Sequence, residues 1–221
     1  MGFKAVIFDL DGVITDTAHY HYLAWKRLAD AIGMPFDLAF NERLKGIDRM
    51  GSLELILGAA AATTTPERKL ALADSKNTYY RQLIADMSAA DLLPGAVAAL
   101  EAVRGAGLGI GLASVSKNAV EVLARLGIAE RFDVVVDAAR IARGKPDPEI
   151  FLTAAHSLGV APADCLGVED AVAGVSAIKR AGMVALGVGL PEVLTEADLV
   201  ISGLDRFDLA SLQALSPQAA I

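Results

Sequence analysis

The feature that most constrains this chain is a rhythm. Short apolar runs at residues 4–8, 108–113, 134–136, 165–168, 184–188 and 199–201 are mostly separated by stretches long enough for a helix. Runs of this length with no alternating polar positions describe strands buried on both faces, which parallel sheets covered by helices provide. Crossover helices are expected over 96–104, 118–126, 148–158 and 171–181. Strand and helix in alternation predict an α/β fold with a doubly wound parallel sheet.

One segment breaks the rhythm. Residues 16–88 read as helix after helix with no convincing strand: one over 19–32 ending at Gly33, one after Asp48, and one starting where Thr65 caps Pro66-Glu67. A small all-helical cap domain inserted after the first strand is therefore expected. The division is 1–15 and 92–221 for the core and 16–91 for the cap, with hinges at 15–18 and 89–95, the second marked by Asp91 and Pro94-Gly95.

Composition narrows the function classes. A chain of 221 residues with a net charge of −7 lacks the broad cationic field that a nonspecific nucleic-acid binder needs. The single cysteine, Cys165, permits neither an intrachain disulfide nor a cysteine zinc cluster. No apolar run reaches the eighteen residues of a membrane span. The expectation is a cytoplasmic protein, monomeric, with a small-molecule substrate, no nucleic acid and no membrane.

Parallel open sheets bind ligands beyond the carboxyl ends of their strands. Asp9 and Asp11 fall there after the first run, Ser114 after the second, and Glu169 with Asp170 after the run at 165–168. Lys145 sits in Gly-Lys-Pro-Asp-Pro, just before a helix. Four carboxylates converging on one crevice repel one another unless a divalent cation lies among them, and oxygen ligands without His or Cys suit magnesium. Lys145 and the Ser114 hydroxyl would neutralise and orient a phosphoryl group. A carboxylate can be a covalent nucleophile, the role expected of Asp9, with Asp11 as general acid and then base.

The motifs Asp9-Leu-Asp-Gly-Val, Ser114, Lys145-Pro146 and Glu169-Asp170 resemble, in order and spacing, those of the haloacid dehalogenase superfamily, over the whole chain. The resemblance implies Asp9, Asp11, Glu169 and Asp170 as the metal set. In the cap, Leu44-Lys45-Gly46-Ile47-Asp48-Arg49, followed by Ser52, resembles the members that isomerise hexose phosphates. That implies interconversion of β-D-glucose 1-phosphate and glucose 6-phosphate through an aspartyl phosphate, with glucose 1,6-bisphosphate as primer and intermediate. By the same resemblance Arg49 would hold the distal phosphate with Ser116, Lys117 and Asn118. Gly46, Ile47 and Asp48 would touch the sugar, and His21 and Lys45 would position Asp11 and the cap. Thr17, Trp25, Ser52, Lys76 and Val115 complete the implied substrate site. His19 and Val115 depart from the family pattern, and the bulk of Val115 would narrow sugar choice. The alternative is a sugar-phosphate or phosphoglycolate-like phosphatase on the same scaffold.

Several of these residues have plainer readings. Asn118 could be the N-cap of the helix that follows it. His21 and Trp25, four apart on one helix, could be a packing stripe. Lys45 and Lys76 could be surface charges.

Overall fold

The computed structural model describes residues 2–44 and 46–216. Six strands form one parallel sheet: β1 (Ala5–Phe8), β2 (Gly109–Leu112), β3 (Val134–Val135), β4 (Cys165–Glu169), β5 (Val184–Val188) and β6 (Leu199–Ile201), in the order β3-β2-β1-β4-β5-β6. The first strand thus lies at the centre, between β2 and β4, where the winding direction reverses. The helices of this layer are α5 (Ala96–Gly105), α6 (Ala119–Arg125), α7 (Glu149–Leu158), α8 (Val172–Arg180) and α9 (Leu209–Gln213).

The period-two geometry of β1 shows in its packing. Val6 and Phe8 join a core with α5 and α6 residues such as Leu100 and Leu123, while Ala5 and Ile7 join the opposite core with Phe151 of α7 and Ile178 of α8. Every β1 side chain is fully buried. A strand so enclosed cannot shift, so the residues that follow it have a defined position.

Between β1 and α5 lies the inserted helical cap: α1 (Ala18–Ala31), α2 (Leu38–Glu42), α3 (Arg49–Leu57) and α4 (Pro66–Leu83). Helices α1 and α4 pack lengthwise on each other. The cap has its own core, in which Trp25, Leu28, Leu53, Ile56 and Leu72 are buried. Thr65 caps α4 through Arg68 N, with Pro66 in its first turn, as the sequence signal required. Helix α2 was not anticipated. It is a single short turn-and-a-half started by the Asp37 carboxylate, which accepts from Phe40 N, and five residues carry too little periodicity to be read from sequence.

The two chain crossings between the layers run side by side. Thr15 and Leu92 form an antiparallel bridge, Leu93 N donates to Ile14 O at 2.9 Å, and the Thr15 hydroxyl donates to Asp91 O at 2.7 Å. Among the described residues no helix is long and apolar enough to cross a membrane.

Candidate active site

The chain leaves β1 through Asp9-Leu10-Asp11-Gly12. Gly12 has φ +76°, and a Cβ there would lie 2.1 Å from Asp170 Oδ2. Only glycine allows the turn and the approach of the two loops together. Asp9 and Asp170 thereby meet across the β1/β4 reversal, and Glu169, the last residue of β4, joins them from below.

Oxygens of Asp9, Glu169 and Asp170 lie within 4.8 Å of one another. An all-oxygen set with no nitrogen or sulfur donor fits magnesium. Lys145, arriving from the loop before α7 with its side chain fully buried, donates to Asp9 Oδ1 and Glu169 Oε2, both at 2.7 Å. Burial alone would lower the Lys145 pKa, but Asp9 and Glu169 together hold it above the ordinary lysine value. Burial and the Asp9 charge raise the Glu169 carboxyl, partly countered by Lys145.

The Asp11 carboxylate is not among the three that gather. It accepts instead from the Thr17 hydroxyl. Burial, then the Asp9 charge, lifts its pKa to about 7, against the opposing pull of Thr17, Lys145 and Lys76. Thr17 occupies the N-cap position of α1 without capping it, since its hydroxyl is directed to Asp11.

A cavity of about 300 Å³ lies between this cluster and the cap, lined from the core by Asp9, Asp11, Asp170 and Val115 to Asn118. From the cap, Gly46, Ile47, Arg49, Ser52, His21, Trp25 and Lys76 line it. Asp48 does not. Its carboxylate caps α3, accepting from Met50 N at 2.8 Å and Gly51 N at 3.1 Å. Ser114 is buried beneath the floor, where its Oγ accepts from Ser116 N at 3.1 Å. Lys45 lies outside the described residues.

The cap cations are less superficial than their sequence context suggests. Lys76 is 3% exposed. Its Nζ stands 2.8 Å from His21 Nδ1 and over the rings of Trp25 and Tyr80 at 4.6 and 4.7 Å. Burial first, and then Arg49, depress its pKa to about 7, while Asp11 pulls the other way. His21 is held well below the ordinary histidine range by burial and by Lys76 and Arg49. Its ring is therefore neutral. His21 engages Lys76 rather than Asp11, whose hydrogen-bond partner is Thr17. Trp25 satisfies both readings, being part of the cap core and of the cavity wall.

Sequence reasoning missed Asn41 and Glu42 at the end of α2, and gave no site role to Asp16 and Leu44, although all four line the cavity. Asn41 is a buried polar residue in an element too short to be foreseen.

This arrangement of carboxylates and lysine at the centre of the sheet, under an inserted cap, has counterparts in known proteins. The haloacid dehalogenase-like hydrolase family matches over residues 3–182, and the chain belongs to that family. Within it, the chain is 54% identical over 200 residues to a protein of Bacillus subtilis (strain 168) named beta-phosphoglucomutase, covering 90% of this chain and 88% of that one. The crystal structure of a beta-phosphoglucomutase from Clostridium difficile superposes with a TM-score of 0.95 at 45% identity, covering 98% of each chain. A Thermotoga maritima protein named phosphorylated carbohydrates phosphatase is 32% identical over 183 residues, covering 81% of this chain and 82% of that one.

Proposed function

We propose that this protein interconverts β-D-glucose 1-phosphate and glucose 6-phosphate, with glucose 1,6-bisphosphate as primer and as the intermediate that turns over within the site. The observation that carries the reading is a single cavity with polar groups of the core and of the cap on its wall, room for two phosphates. One would sit at Asp9 and Asp170, with Lys145 bonded to Asp9 behind them; the other would sit where Arg49 of the cap and Ser116, Lys117 and Asn118 of the core line the same space. Hydrolysis needs one anion site, whereas moving a phosphoryl group between two positions of one sugar needs both. Arg49 forms no salt bridge among the described residues, and burial lowers its pKa against the pull of Asp74, so an incoming dianion would offset the cost of that burial.

Asp9 attacks the phosphorus of the bound bisphosphate, forming an acyl phosphate as the bond to the sugar oxygen breaks. Asp11 delivers its proton to that departing oxygen, for which a pKa near 7 is suited. In the return step Asp11 accepts the proton of the sugar hydroxyl that attacks phospho-Asp9. Magnesium held by Asp9, Glu169 and Asp170 would neutralise charge on the transferring phosphoryl oxygens. Lys145 contributes positive charge at the same point through its hydrogen bond to Asp9 Oδ1. Residues 16–91 would move as a cap on the paired crossings at Thr15 and Leu92, excluding water so that the acyl phosphate waits for a sugar hydroxyl.

The Thermotoga relative favours a second reading, a sugar-phosphate phosphatase that uses the same core residues. The test is to incubate the protein with magnesium, β-glucose 1-phosphate and a trace of glucose 1,6-bisphosphate, and to follow glucose 6-phosphate and free phosphate together. Glucose 6-phosphate as the main product supports the mutase. Free phosphate as the main product replaces it with the phosphatase.

A further inference from the structure

Asn118 occupies the N-cap position of α6, where an asparagine ordinarily accepts from the helix's own backbone, yet it makes no such bond. Its side chain is 8% exposed and its Nδ2 donates to Asn77 Oδ1 of cap helix α4 at 2.8 Å. Asn118 lines the cavity and Asn77 does not. The bond belongs to a seam between α4 and α6. Four residues along from Asn77, Arg81 Nε donates to Glu121 Oε2 at 2.8 Å, and four further on the Ala85 carbonyl accepts from Arg125. Asn77 stands at the cavity end of that seam, where Asn118 lines the wall.

We propose that Asn77 is a positioning residue for the transfer reaction, fixing the Asn118 amide at the cavity wall when cap and core come together. An amide nitrogen has two hydrogens. With one committed to Asn77, the rotamer is set and the second is available to an oxygen of the distal phosphate. Without Asn77, the side chain of Asn118 is released to cap α6, the alternative its position offers. The bond crosses from cap to core, so the donor is presented only when the cap is in place. This inference rests on the two-phosphate reading, in which β-glucose 1-phosphate holds its own phosphate distally while its other end is phosphorylated.

The test is a double-mutant cycle on the holoenzyme with magnesium: wild type, Asn77→Ala, Asn118→Ala and the pair, with Asn77→Leu as a variant that preserves volume along the seam. Loss of one phosphate hydrogen bond predicts a KM for β-glucose 1-phosphate raised roughly 3- to 10-fold in Asn77→Ala, with kcat changed less. On the Asn118→Ala background the Asn77 substitution adds nothing. An unchanged KM in Asn77→Ala and Asn77→Leu, or effects that multiply in the pair, overturns the proposal. Thermal melting of each variant separates loss of fold from loss of affinity; should Asn77→Ala fail to fold, Asn77→Leu is scored in its place. If wild type releases only free phosphate, the mutase reading fails. The cycle is then scored on the KM for glucose 1,6-bisphosphate as phosphoryl donor, and the same two outcomes decide the role of Asn77.

Discussion

The carboxylate of Glu169 occupies the space that a side chain at position 174 would need: a Cβ built on Gly174 would lie 2.0 Å from Glu169 Oε2. Gly174 is in the first turn of α8, where alanine is intrinsically the better residue. Helical propensity has been overridden by the requirement to seat a buried carboxylate beside the helix.

Gly174→Ala therefore reverses the usual sign. In an unconstrained helix the change stabilises by about 1 kcal/mol. Here it displaces Glu169 from Lys145, and overpacking of this kind costs about 1–3 kcal/mol. Urea unfolding should show net destabilisation, and the magnesium concentration for half-maximal activity should rise. A variant more stable than wild type would show that Glu169 does not hold its observed position.

Lys145→Met leaves Asp9 and Glu169 buried without their shared cation. Breaking a buried pair costs about 3–5 kcal/mol while the remaining charge persists. Glu169 escapes part of that cost by taking up a proton, since its pKa is already raised. A carboxyl whose folded pKa lies above its unfolded value contributes stability at low pH and loses it as pH rises through the folded pKa. The variant should consequently be closest to wild type in stability near pH 5 and furthest from it near pH 8, with activity lost at both. A pH-independent deficit in denaturant titrations would contradict this.

Lys76 gives the opposite slope. Its pKa falls from 10.5 to about 7 on folding, so between those values the unfolded chain binds the extra proton. The ligand-free protein should then gain stability as pH rises from about 7 to 10.5, by an amount set by the size of the shift. Lys76→Met removes this rise. The measurement is the difference in unfolding free energy between variant and wild type across that range, in which titrations not coupled to Lys76 cancel while those of Asp11 and His21 shift with it.

Thr17→Val deletes the hydroxyl that holds the Asp11 pKa down. Burial and the Asp9 charge then act unopposed by it, and the pKa moves above about 7. In phosphorylation of Asp9 by the bisphosphate, Asp11 acts as the acid, and the rate falls as pH rises through its pKa. The alkaline limb of kcat/KM for the bisphosphate should move to higher pH in the variant. A fixed limb would assign that titration to another group.

Asp9→Asn removes the nucleophile while keeping the shape of the site. Formation of glucose 6-phosphate should cease and no phosphoenzyme should accumulate from glucose 1,6-bisphosphate, as read by intact mass. Residual phosphoenzyme would place the nucleophile elsewhere.

Much of the core was legible beforehand because its signals are local. The apolar runs that became β1, β2, β4 and β5 are buried on both faces and carry no competing pattern, and Asp9, Asp11, Glu169 and Asp170 follow them directly. The cap was less legible. Helix α2 is too short to show a period, and Asn41 came with it unseen. Lys76 looks like a surface charge in sequence because nothing nearby reveals that His21 and Trp25 of α1 enclose it together with Tyr80, one turn further along α4. Asp48 and Thr17 show the converse: both stand at helix starts, yet one caps and the other serves Asp11.

What the sequence determined by itself was the alternation of buried strand and helix, the insertion after β1, and the identity of the residues at the strand ends, since each depends on neighbours within a few positions. Only the tertiary structure decided that the Asp11 carboxylate turns to Thr17, that Lys145 bridges two carboxylates, and that Asn118 reaches Asn77 in place of its own helix. Those choices depend on which polar groups folding brings within about 3 Å, where burial makes an unpaired partner costly. No spacing along the chain encodes that distance.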